Sequence, residues 1–99
     1  MVKHIILWKL RDDIPPEERA AVTAEAKKRL EALNLQIPGM YYITVRTEGL
    51  DSSSADMMLE SLFTGADALA AYQKNPLHLE AAGDGRSVVG TRLCFDFTF

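Results

Sequence analysis

Residues 91–99 read TRLCFDFTF. Leu93, Phe95, Phe97 and Phe99 fall on one parity, and Arg92, Cys94, Asp96 and Thr98 fall on the other. A period of two, together with β-formers, predicts a strand with two unlike faces. Leu93 and three phenylalanines in alternation need apolar cover, and the strand pattern elsewhere says where that cover must come from.

Residues 2–11, VKHIILWKLR, also read as a strand. One parity carries His4, Ile6, Trp8 and Leu10, and the other carries Ile5 and Leu7. DDIPP then offers capping aspartates and first-turn prolines, followed by the strong helix formers EERAAVTAEAKKRLEAL with an apolar stripe of Val22, Ala26, Leu30 and Leu33. NLQIPGM stops that helix, and MYYITVRTE is a second strand. GLDSSSAD reads as an exposed loop before a third strand at about 55–63, in which Met57, Leu59 and Phe63 share a face while Met58 and Leu62 lie on its reverse. TGADALAAYQK predicts a second helix halted at Asn75-Pro76, and Pro76–Ala82 predicts a short helical segment ended by Gly83.

The order βαββαβ predicts an α+β, ferredoxin-like fold with a four-stranded antiparallel sheet and the helices on one face. A sheet with water on its other face would alternate cleanly between apolar and polar. These strands carry apolar side chains on both faces, so the uncovered face reads as an interface. The economical cover is a second copy of the same sheet about a two-fold axis, and the expectation is a homodimer.

With 99 residues the chain reads as a single domain spanning 1–99, without repeat or linker. It is 47% hydrophobic and 25% charged, with net charge −3, a balance that suggests neither nucleic acid nor an anionic membrane surface as partner. No run approaches the roughly 20 apolar residues of a membrane span, and none has the form of a signal peptide. One cysteine, Cys94, excludes an internal disulfide and any four-cysteine cluster, so a cytoplasmic, reducing location is expected. An RNA-binding sheet of the RRM type would need stacking aromatics with basic neighbours in its central strands, a pattern MMLESLF lacks, and the chain is acidic. A metal carrier would want a Cys-x-x-Cys loop, and isolated carboxylates such as Asp51 and Asp56 make no ion site; no metal is expected. Cys94 lacks a base nearby in sequence and reads as a small hydrophobe.

VKHIILWKL, IPGM, AYQKNPLHLEAAGDG (71–85) and the closing CFDF together resemble the stress-responsive dimeric α/β-barrel domain family, often called Dabb, over essentially the whole chain. The resemblance implies a homodimer of ferredoxin-like subunits whose sheets face each other in a barrel, with a cavity between each sheet and its helices. A plant polyketide cyclase of this fold uses a histidine and a tyrosine at matching positions to promote an intramolecular aldol condensation. Carried onto this chain, those roles fall on His78 and Tyr72, with His4, Ile6, Trp8, Leu59, Leu69 and Arg92 expected around a hydrophobic small-molecule ligand. Trp8, Arg92 and Cys94 depart from that enzyme's lining.

The local chemistry agrees with such roles. Asn75 as N-cap and Pro76 at the first helical position put His78 in the first turn, where the positive end of the helix favours a neutral ring able to accept a proton. Tyr72 lies three residues after Leu69, on the core-facing side of its helix. A base beside a carbonyl and a phenol that bonds the developing oxyanion are the two parts an enolate reaction needs, and no cofactor is required. Each residue also has a structural reading. An inward tyrosine usually packs in the core, a first-turn histidine often bonds a carbonyl, His4 reads as a satisfied strand histidine, and Trp8 reads as core filling. Arg92 is expected to pair with Asp96 or Glu60, to reach solvent, or to anchor an anionic ligand. Two functions follow: a cofactor-free lyase or cyclase acting on a keto or aromatic compound, and a non-catalytic binding or stress-associated dimer. A monooxygenase without cofactor is a further reading of the same fold.

Overall fold

The computed structural model describes residues 1–83 and 85–99, with side chains throughout except at 85 and 86. Asp84, within the 71–85 segment, lies outside the described residues. Four strands follow the expected order: β1 Val2–Leu10, β2 Met40–Arg46, β3 Met57–Phe63 and β4 Val89–Thr98. They form one sheet in the order β2-β3-β1-β4, with every neighbouring pair antiparallel. Helix α1 spans Pro16–Glu31, α2 Ala66–Lys74 and α3 Pro76–Gly83. This is the ferredoxin-like βαββαβ arrangement, with the second helical unit broken in two at Asn75. Among the described residues, no helix is long and apolar enough to cross a membrane.

The break follows from local chemistry. Pro76 has no N–H and cannot continue α2. The Asn75 side chain instead accepts a bond from the Leu77 N–H at 2.9 Å and its carbonyl accepts one from the Leu79 N–H at 3.0 Å, which starts α3 on the expected cap. The cap expected of the aspartates before α1 is not made. Asp13 is held by Arg11, with Nε–Oδ1 at 3.0 Å and Nη2–Oδ2 at 2.5 Å. Helix α1 begins at Pro16 with no side-chain cap, and Glu17 and Glu18 supply the negative charge its first turn favours.

The core lies between the inward face of β1, β2 and β3 and the helices. Ile6, Ile43, Val45, Leu59, Phe63, Leu30, Leu33, Leu69 and Tyr72 are all buried there. At the β2 edge, side chains from the end of α1 take the place of a further strand. Asn34 bonds both the N–H and the carbonyl of Ile43 (2.9 and 2.8 Å). Glu31 accepts from the Val45 N–H at 2.9 Å, and Lys27 donates to the Val45 carbonyl at 2.7 Å. One edge is thereby closed to further pairing.

Gly39 sits where the chain turns into β2, at φ +79°, and its carbonyl accepts the Thr64 N–H at 2.8 Å. A Cβ there would stand 2.7 Å from the Ala68 Cβ. Gly39→Ala is expected to cost at least about 1–3 kcal/mol, since it combines a disfavoured φ with a clash. In a domain of this size that lowers Tm by at least about 4 °C, which a thermal melt measures.

Candidate functional site

Register across the sheet builds one wall of a cavity. Trp8 on β1 stands between Met57 on β3 and Arg92 on β4, and Ile6 stands between Leu59 and Cys94. These residues share the inward face because strand side chains alternate. Above them, Val22, Ala26 and Leu30 form the α1 wall, Tyr72 comes from α2, and His78, Ala81 and Ala82 come from α3. The space enclosed is about 760 Å³, open on one side, and mostly apolar apart from Glu25, Arg29, Gln73, His78 and Arg92. That volume lies within the usual range for small-molecule sites. Trp8 and Met57 stand in the wall and leave the space open.

Tyr72 and His78 lie together at this cavity, with ring centroids 4.1 Å apart and planes tilted by 43°. They come from different helices and meet because the Asn75-Pro76 break folds α3 back beside the last turn of α2. Tyr72 is 1% exposed, and its hydroxyl has no hydrogen-bond partner among the described residues. Leaving such a group unpaired costs about 1–3 kcal/mol. Burial pushes the phenol well above its ordinary pKa, with the nearby Arg92 charge opposing, so at neutral pH Tyr72 is a proton donor.

Of the expected lining residues, Ile6, Trp8, Leu59, Tyr72, His78 and Arg92 border the cavity, while His4 and Leu69 do not. Leu69 is buried in the core cluster. His4 is equally buried, and its Nδ1 bonds the Asp96 carboxylate, its direct cross-strand partner. The His4 ring still meets Tyr72 edge-on, at 6.4 Å between centroids. The partners expected for Arg92 are engaged elsewhere: Asp96 by His4, and Glu60 by Tyr42 and by Lys3 at 4.0 Å. Arg92 instead faces the cavity. Sequence reading missed Glu25, Arg29 and Gln73 as lining, since surface-type residues on an amphipathic helix give no such signal.

Among the described residues, no helix covers the opposite face of the sheet. Leu7, Leu93, Phe95 and Phe97 lie on it, exposed by 37, 62, 69 and 39%. The rings of Phe95 and Phe97, and of Phe97 and Phe99, meet at tilted angles, with centroids 6.0 Å apart in each pair.

The sequence profile of the stress-responsive A/B barrel domain, Dabb, matches residues 2–99. The chain belongs to that family. No curated protein matches it. Among solved structures, a dimeric protein of unknown function with a ferredoxin-like fold from Bacteroides fragilis is 34% identical, with TM-score 0.91 over 99% of this chain and 95% of that one. A dimeric ferredoxin-like protein from Thermobifida fusca is 23% identical, with TM-score 0.76 over 99% and 90%. SnoaB, a cofactor-independent oxygenase from Streptomyces nogalater, is 19% identical, with TM-score 0.66 over 99% and 91%. At these last two identities the likeness is one of fold. This Dabb chain thus shares its architecture both with proteins of unknown function and with an enzyme that works without a cofactor.

Proposed function

We propose that this Dabb protein is a homodimer that takes a small keto-bearing or aromatic compound into the cavity of each protomer and promotes a cofactor-free lyase or cyclase reaction on it. The observation that carries this reading is the unpartnered, buried Tyr72 hydroxyl beside His78 in the wall of an open cavity. A donor kept at such a cost is accounted for by a ligand oxygen that completes it. The hydroxyl is shut off from solvent although Tyr72 lines the cavity, so a bound carbonyl would have to displace a neighbouring side chain to reach it.

In the reaction, a ring nitrogen of His78 takes a proton from the carbon next to a carbonyl. The electron pair moves onto the carbonyl oxygen, where Tyr72 donates a hydrogen bond and Arg92 supplies positive charge. The enolate carbon attacks a second carbonyl of the same molecule, and the proton on His78 goes to the new alkoxide. Electrostatic stabilisation of the oxyanion and proton transfer are the two largest contributions such a site makes. Dimeric relatives and the exposed apolar face of β1 and β4 support the assembly. The relative that works as a cofactor-independent oxygenase supports chemistry without a cofactor, by fold analogy alone.

Tyr72→Phe tests the reading after a thermal-shift screen of keto and aromatic compounds has given a substrate. Removing an unpaired hydroxyl is expected to hold or raise Tm, while kcat falls by about 10², the lower end of what one oxyanion donor contributes. A fall in Tm with turnover unchanged makes the hydroxyl structural and overturns the reading. Binding without turnover in the wild type leaves a binding protein.

A further inference from the structure

On the same inward face of the sheet, beyond the cavity, the register gathers three metal-type donors. His4 and Asp96 are direct partners across β1 and β4, and Cys94 is two residues along β4 on the same face. The His4 Nδ1, Cys94 Sγ and an Asp96 carboxylate oxygen all lie within 4.8 Å of one another. Sγ stands 3.8 Å from Nδ1 and 3.4 Å from Oδ1. We infer that His4, Cys94 and Asp96 form a binding site for a zinc-class divalent ion.

The distances fit the chemistry. With bonds of about 2.3 Å to sulfur and about 2.0–2.2 Å to nitrogen and oxygen, tetrahedral ligands of zinc stand roughly 3.3–3.6 Å apart. Both sulfur edges lie within about 0.2 Å of that range. The remaining edge is the Nδ1–Oδ1 hydrogen bond, which a bound ion replaces and lengthens. Without an ion, one carboxylate takes hydrogen bonds from the imidazole and from the thiol, and a single cation between the three substitutes for both protons. A thiolate, an imidazole and a carboxylate together select a borderline ion such as zinc over magnesium or calcium, which prefer oxygen alone.

The site is also pre-organised. All three donors stand on paired strands, not loops, and the His4 ring is 1% exposed with Ser61 opposite it on β3, which restricts its orientation. Cys94 and Asp96 are exposed, so an ion enters from solvent and keeps an open position on that side. The cluster is on the face of β4 opposite the phenylalanines, and a dimer formed through those leaves it accessible. The site does not rest on the proposed reaction: neither His78 nor Tyr72 is a ligand.

Cobalt tests it, because thiolate ligation gives an absorption that carboxylate and imidazole ligation do not. Titrating reduced, metal-stripped protein with Co²⁺ is expected to give one ion per chain, a thiolate-to-cobalt band in the near ultraviolet, and visible bands that Zn²⁺ bleaches. Cys94→Ala, an exposed position, keeps the melting curve and loses the near-ultraviolet band, and Asp96→Asn weakens the ion at least 10-fold. No thiolate band in the wild type, or the same isotherm in Cys94→Ala, overturns the site and leaves a hydrogen-bonded cluster.

Discussion

Phe95→Asp is expected to turn the proposed dimer into a folded monomer of 11.0 kDa, measured by light scattering at micromolar concentration. Within one protomer the Phe95 side chain is 69% exposed, so an aspartate there costs the fold little. Between two sheets the same carboxylate is removed from water, and Lys3, on the same face, is already engaged by Glu60 at 4.0 Å. Leaving a buried charge unpaired costs about 3–5 kcal/mol, which weakens dimerisation roughly 10²–10⁴-fold. Phe95→Leu keeps the apolar surface and is expected to stay dimeric. The face chosen follows from the edges of the sheet. Lys27, Glu31 and Asn34 close the β2 edge, whereas β4 presents both an open edge and the row Leu93, Phe95 and Phe97. A wild type that scatters as a monomer, or a Phe95→Asp variant that remains dimeric, rejects this interface.

The legibility of this chain varied with the distance over which its signals act. Strand identity is local: TRLCFDFTF alternates, MMLESLF is rich in apolar residues on both parities, and the period of two assigns each side chain a face. The Asn75-Pro76 break is local as well, because an N-cap and a missing N–H act within one turn, and both α3 and the first-turn place of His78 followed from it. Asp12 and Asp13 misled for the same reason in reverse. Capping propensity is local, but Arg11 is a stronger partner for Asp13 than an orphan N–H.

What required the third dimension was register. His4 and Asp96 are 92 residues apart, and nothing in either segment says that they stand opposite each other across β1 and β4. A shift of one residue would send Asp96 to the phenylalanine face. Hence the sequence points His4 toward the cavity, whereas the fold commits it to Asp96, and no local signal marks the donor set it forms with Cys94. Lys27 and Glu31 stand one turn apart on α1, and only the fold brings them to the β2 backbone.

His78→Ala is expected to lower kcat on a substrate of the cavity by roughly 10²–10⁴-fold, the usual contribution of a positioned acid–base group. The loss exceeds that of Tyr72→Phe, because without the base no enolate forms for the phenol to stabilise. Stability separates this from a packing effect. His78 is half-buried in the first turn of α3, and α3 is started by Asn75 and Pro76 whatever stands at 78. The variant is therefore expected to remain a folded dimer with nearly unchanged Tm, and to retain affinity for a non-reactive analogue whose contacts are mainly with Trp8, Val22 and Leu59. The double variant His78→Ala/Tyr72→Phe is expected to be hardly worse than His78→Ala alone, since groups serving one step act as a unit. Two independent structural residues would instead lower Tm additively, with ligand affinity lost only as far as folding is. Equal turnover by the wild type and His78→Ala removes the base from the mechanism, and with it the reason for a helix break that holds an imidazole against a buried phenol.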